Sequence, residues 1–179
     1  MTSTLTCEIA PGRWIGDGQP CFVIAEIGSN HNHDFNLATR MIDEAAAAGV
    51  DAVKFQTFRA ESHYSVHAPN FSSREDRSTF ELVKSLELDR SWHAPLKKHC
   101  ESLDLVFLSS PCDIDAIDEL DKLDIAALKV PSCELSDLSL VRHMAQTGRP
   151  IILSTGLADW MDIQRAVDTC RGVGNKNVV

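Results

Sequence analysis

The chain has 179 residues, 44% hydrophobic and 24% charged, which is enough for one globular domain with its own core. Its formal net charge of -9 comes without a basic stripe, which argues against nucleic acid as a partner. No apolar run approaches the roughly 18 residues of a membrane helix, and Met1–Cys7 holds no basic region leading into an apolar one, so no membrane association and a cytoplasmic location are expected.

Residues 1–19 read as an irregular lead-in, interrupted by Pro11, Gly12, Gly16 and Gly18. After Pro20, the apolar run beginning at Cys21 reads as a buried strand, and Glu26 stands where that strand should end. A parallel strand buried on both faces is almost continuously apolar, so a carboxylate at its far end must face something polar. Gly28 permits a tight turn into Ser29-Asn30-His31-Asn32. Leu37, Met41, Ala45 and Ala48 then recur at helical spacing, with Asp34 or Asn36 as cap and Gly49 as stop. In the strand from Asp51 to Phe58, period-two geometry places Lys54 and Gln56 on one face and Val53 and Phe55 on the other.

Residues 59–77 are polar and rich in His, Arg and acidic groups; a loop of this length is a lid, a binding loop or disordered. Ser78–Leu86 predicts a short helix. Ser91 is the expected cap of another, with Trp92, Leu96, Cys100 and Leu103 along one face. A regular rhythm follows. Leu105–Leu108 is a strand ending in Ser109-Ser110-Pro111, and Asp113 caps a helix carrying Ile114, Ile117 and Leu120. Ile125–Val130 is a strand holding Lys129, followed by Ser132 and Glu134; Ser136 caps a helix with Leu138, Val141 and Met144. Ile151–Leu153 ends in Ser154-Thr155-Gly156, Asp159 caps the last helix, and Asn177-Val178-Val179 begins a further strand. Starts spaced by about 25 residues make a βα repeat with parallel strands and right-handed crossovers.

All five complete strands finish in polar chemistry: Glu26; Lys54 with Gln56; Ser109 and Ser110; Lys129, then Ser132 and Glu134; Ser154 and Thr155. In a doubly wound sheet the two lysines would lie under helices without partners, whereas the mouth of a (β/α)8 barrel accommodates them. The expected fold is therefore a TIM barrel, represented by about its first five βα units. Two lysines on different strands suggest an anion with more than one negative charge. His31 and His33 read as an exposed loop pair rather than metal ligands. The six cysteines, irregularly spaced and without CxxC, read as reduced and mostly buried thiols.

Residues 24–32 and 51–58, together with Ala127–Glu134 and Pro150–Gly156, resemble the sialic acid synthase (N-acetylneuraminate synthase) family, with four motifs in order across residues 20–179. The resemblance implies condensation of phosphoenolpyruvate with an N-acylated hexosamine, N-acetylmannosamine or a bacillosamine-type sugar, to a nine-carbon 2-keto sugar acid plus phosphate. It implies that Lys54 and Lys129 hold phosphoenolpyruvate with Ser110, Ser132 and Ser154 as hydroxyl donors. Glu26 and Gln56 would contact the sugar, and Glu134 would stabilise the cation at C2 or take the proton of the attacking water. It further implies a homodimer and a manganese or magnesium ion whose ligands lie on later strands, outside this chain, as does a C-terminal antifreeze-like domain.

His33, Cys133 and Ser110 depart from the family's usual Gly, Gly and Thr, and Asn70 is a candidate for the loop residue that assists phosphoenolpyruvate. A whole barrel takes about 250 residues, so the chain is expected to behave as an inactive, aggregation-prone fragment with exposed sheet edges. Two other readings stay open: a Schiff-base aldolase with Lys129 as the amine nucleophile, and a ligand-binding remnant without catalysis.

Overall fold

The structure, a computed structural model, describes residues 5–70 and 77–179. Its first ordered element corrects the irregular lead-in. Thr6–Ala10 (β1) and Arg13–Gly16 (β2) form an antiparallel hairpin, pairing Cys7 with Ile15 and Glu8 with Trp14. Pro11 and Gly12, which suggested irregularity, form the turn, where Gly12 takes a φ of +72°, and Gly16 ends β2. One side of the hairpin buries Ile9 and Ala10 against Ala52, Leu108 and Ala127, with Ile15, Phe22, Ile24 and Ile152 packed around them.

The main sheet consists of Ile24–Gly28 (β3), Ala52–Thr57 (β4), Val106–Pro111 (β5), Leu128–Val130 (β6) and Ile151–Leu153 (β7). All pairings are parallel and the order is sequential, β3-β4-β5-β6-β7. A doubly wound sheet reverses its strand order at a switch point; this one does not. Val178 bridges Ile151, and Leu153 N donates to Val179 O at 2.8 Å, so the further strand begins where the sequence placed it. Two strands are shorter than expected. Cys21–Val23 lies outside β3 and Val23 is 46% exposed. Ile125–Ala127 precedes β6: Ile125 and Ala127 are buried, but Asp124 turns the chain with a φ of +56° just before them.

The helices are Phe35–Ala47 (α1), Ala60–His63 (α2), Thr79–Ser85 (α3), His93–Ser102 (α4), Ile114–Lys122 (α5), Leu138–Gln146 (α6) and Trp160–Gly172 (α7). Asp34, Asp113 and Asp159 cap as expected, and Ser78, expected to open a helix, caps it instead; Ser78 and Asp159 sit within capping boxes. Asp137, not Ser136, caps α6, and Asp89 caps a 3-10 turn at Arg90–Trp92 that leads into α4 in place of a cap at Ser91. In both cases the carboxylate is the stronger acceptor for the free amides of the first turn. Leu103 and Ile114 face outward rather than inward, while Leu140 is buried in α6. Side chains from α1, α4, α5, α6 and α7 join Ile27, Val53, Phe55, Phe107, Leu128, Val130 and Ile151 in one core, and the hairpin packs in a second cluster with Ala52, Leu108 and Ala127. Helices gather on one face of the sheet and the hairpin on the other. All six thiols are free, but only Cys100 and Cys170 are buried, and Cys21 and Cys133 are exposed. No described helix is long and apolar enough to cross a membrane.

Candidate active site at the strand ends

Alternation along β4 sends Phe55 into the helix-side core and Lys54 to the other face. Glu26 on β3 pairs in register with Lys54 and forms an ion pair with its Nζ, and Ser110 Oγ on β5 lies 3.2 Å from the same Nζ. The Lys54 side chain is 8% exposed, so its ammonium needs those partners; the Glu26 side chain, on the first strand of the sheet, is 48% exposed. Beyond Glu26 the register slips by one residue at Gly28, whose φ is +58°. A Cβ there would sit 3.1 Å from Glu26 Oε1 and 3.3 Å from Gln56 Nε2, so glycine permits the close approach of these two side chains.

A cavity of about 280 Å³ opens at the carboxyl ends of β4, β5 and β6, with Gln56, Ser110 and Lys129 among its walls. Burial, and next the nearby charge of Lys54, lower the pKa of Lys129 from its ordinary value. The cavity therefore puts Lys129 on the same wall as Ser110, the hydroxyl that Lys54 Nζ meets from behind it.

Glu134 follows β6 in a turn closed by its own amide, which donates to Pro131 O at 3.0 Å. Its Oε1 lies 3.0 Å from His63 Nε2, and both side chains are mostly buried. The hydrogen bond to His63 is the largest influence holding the Glu134 carboxyl below its ordinary pKa; the same bond raises that of His63. Ser132 is half-buried, with its Oγ 3.9 Å from where a Cβ of Gly156 would stand, which brings the turns after β6 and β7 together. Ser154 is half-buried and its amide donates to Val130 O at 3.1 Å. Of the expected site residues, Gln56, Ser110 and Lys129 share the cavity; Lys54 reaches it through Ser110 and Glu134 through His63. Glu26, Ser132 and Ser154 are outside its lining, and Asn70 is exposed.

His31 departs from the expected exposed pair. It is fully buried, its ring lies near Phe55 and Trp92, its Nδ1 accepts from His33 N at 3.1 Å, and its Nε2 is unpaired. Asn32 and His33 both take positive φ, which folds the polar run back and carries the His31 ring inward. Among the described residues no three His, Cys, Asp or Glu side chains converge as a metal ion requires, so these residues do not themselves fit a manganese or magnesium site.

Sequence reasoning missed two features. One is His63, whose signal was no more than the histidine content of residues 59–77. The other is a buried chain under the cavity, in which Thr57 Oγ1 meets both His93 Nε2 and Ser109 Oγ at 2.8 Å. Ser109 is a strand end in the sequence, but its partners, Thr57 and Phe55 O, are on β4, and α4 joins the chain only through His93 on Thr57.

The profile of the NeuB family matches residues 41–179. The chain is 37% identical over 163 residues to the N,N'-diacetyllegionaminic acid synthase of Campylobacter jejuni, covering 87% of this chain and 49% of that protein. It is 34% identical over 167 residues to human N-acetylneuraminate-9-phosphate synthase, covering 91% of this chain and 46% of the other. The crystal structure of the sialic acid synthetase of Leptospira borgpetersenii, in complex with citrate, superposes with a TM-score of 0.84 at 31% identity, over 95% of this chain and 56% of that one. The chain thus spans about half the length of the curated relatives it matches.

Proposed function

This chain belongs to the NeuB family, and from that premise we propose that its strands are the phosphoenolpyruvate side of a sialic-acid-type synthase built on a (β/α)8 barrel. Sequential parallel strands with the helices on one face support the barrel. The reaction joins phosphoenolpyruvate to an N-acylated hexosamine, N-acetylmannosamine or a bacillosamine-type relative, in a homodimeric, cytoplasmic enzyme. One observation carries the reading: Lys54 and Lys129 present two cations to one side of the sheet, Lys54 bonded to Ser110, beside a cavity that Ser110 and Lys129 line at the strand ends.

In this reading the lysines neutralise the phosphate and carboxylate of phosphoenolpyruvate, and Ser110, Ser132 and Ser154 donate hydrogen bonds to their oxygens. C3 of the enol attacks the aldehyde carbon, a C–C bond forms, and the aldehyde oxygen takes up a proton. The positive charge left at C2 is met by water, whose proton passes to Glu134. The C2–O bond to phosphate then breaks, leaving the 2-keto acid and inorganic phosphate. Gln56 and Glu26 face the sugar side. No step is routed through a metal, because the described residues do not fit one.

The test, made on the whole enzyme of which these strands are proposed to be a part, is phosphate release from phosphoenolpyruvate carrying ¹⁸O in the bridging position, with each acyl amino sugar as acceptor. The label is expected in the phosphate. Release without label, or no release with any acceptor, refutes the reading. The lowered pKa of Lys129 next to Lys54 favours one alternative, a Schiff-base aldolase, because the shift enlarges the fraction of free amine, the form that acts as nucleophile. Borohydride trapping with a keto acid labels Lys129 in that case and leaves it unmodified in the first.

A further inference from the structure

His63 has no part in the condensation as drawn, yet it is the side chain that meets Glu134. It closes α2, a single turn whose Ala60 is fully buried and whose Ala60 amide donates to Glu87 Oε1 at 2.7 Å. Lys84 on α3 bonds Glu61 at 2.8 Å and Glu87, just past α3, at 3.1 Å, so the turn is tied to α3 through Glu61 and to the segment after α3 through Ala60 N. The Tyr64 ring stands edge-on to the imidazole, with centroids 5.7 Å apart. From this fixed base Nε2 reaches Glu134 Oε1 at 3.0 Å, with side-chain exposures of 20% and 15%. A backbone anchored on both sides and a mostly buried contact are what hold a catalytic group in one orientation.

We propose that His63 is a positioning residue for the Glu134 base: it fixes the carboxylate by one oxygen and keeps it ionised while water adds at C2. This rests on the condensation proposed above. The electrostatics agree with the geometry. The hydrogen bond to Glu134 raises the His63 pKa most, burial opposes it, and the charges of Glu134 and Asp113 add to it. Glu134 is lowered, chiefly by the same hydrogen bond. The other ionisable groups on the cavity wall are Tyr64, Lys129, Cys112 and Cys133; on the α3 side, Lys84 is occupied by Glu61 and Glu87. Pushed in opposite directions, the two partners are both charged throughout the interval between their pKa values. The base is lost as pH falls through the lowered value of Glu134. The clamp weakens as pH rises through the raised value of His63, when an ion pair becomes a neutral hydrogen bond.

The experiment has two parts. In the first, the histidine rings of the chain are ¹³C-labelled and titrated by NMR. One imidazole is expected above the ordinary range; His63→Gln removes that signal and Glu134→Gln moves it down. A His63 signal titrating in the ordinary range, or unmoved by Glu134→Gln, overturns the proposal whatever the reaction. In the second, kcat for phosphate release by the whole enzyme is followed against pH at saturating phosphoenolpyruvate, which sets aside any pH dependence of binding. His63→Gln keeps a neutral donor, so it should match the wild type at alkaline pH and lack its alkaline fall. His63→Leu should lose roughly tenfold or more in kcat at unchanged KM for phosphoenolpyruvate, part of the contribution of a positioned base. A raised KM alone, or the same alkaline fall in His63→Gln, overturns the role; should His63→Leu fail to fold, the glutamine variant decides. Coupling seen by NMR without phosphate release from any acceptor leaves the pair standing but removes the condensation, and with it the role in that reaction.

Discussion

Glu26→Gln tests whether the strand-end charges work as a unit. The substitution keeps the shape of the side chain and removes the charge that pairs with the ammonium of Lys54, which then keeps Ser110 Oγ at 3.2 Å as its bonded neighbour. Removing one partner of a fully buried pair costs roughly 3–5 kcal/mol, because the other charge is left in a poor dielectric. Here Lys54 is 8% exposed but Glu26 is 48% exposed, so water relieves part of the loss. The expected destabilisation is about 1–3 kcal/mol. Urea unfolding followed by far-UV circular dichroism measures it, in a cycle with Lys54→Met and the double variant. The double variant should be more stable than the sum of the single losses predicts, since it leaves no orphaned charge. Single losses that add within about 0.5 kcal/mol would show that the two groups do not interact, and the pairing argument would fail.

The other expectations concern the ground beneath the site. Burial lowers the His93 pKa from 6.5 to about 4, so the unfolded chain takes up a proton that the folded one refuses. Stability should therefore fall between pH 6.5 and 4, by up to about 3 kcal/mol. Urea midpoints at pH 7 and 4.5 measure the fall, and His93→Phe should flatten it. Gly28→Ala should cost about 1 kcal/mol or more, because φ is +58° and the new methyl crowds Glu26 and Gln56; thermal unfolding reads the loss. Lys129→Met should abolish the pH dependence of phosphoenolpyruvate binding. In the wild type that binding weakens as pH rises through the lowered pKa of Lys129, and isothermal titration calorimetry follows both.

What could be read from the chain was what repeats. The βα rhythm, the polar strand ends and the caps at Asp34, Asp113 and Asp159 are local patterns with a fixed period or spacing, and the structure reproduces them. The neighbouring Asp took the cap from Ser136 and Ser91 because two good acceptors stood within two residues of each other, and position alone does not rank them. His31 was misplaced because a short polar run does not show which of its members turns inward; Phe55 and Trp92, which cover it, arrive from other elements. His63 was missed for the same reason. It is 71 positions from Glu134, and nothing local to either residue announces the partnership. The ion pair of Glu26 with Lys54 was equally hidden, although both had been singled out separately.

The amino-terminal hairpin bears on how the chain reaches this state. Ile9 leaves the ribosome well before its contacts, Ala52, Leu108 and Ala127, which lie from 43 to 118 positions later. Loop-closure entropy must be met before such distant contacts contribute, so the hairpin docks late, after β4, β5 and the segment leading into β6 have assembled. Until then its apolar side and the sheet face it covers are both open to solvent. That interval is when a holdase would engage the nascent chain, and when association with a second chain competes with folding.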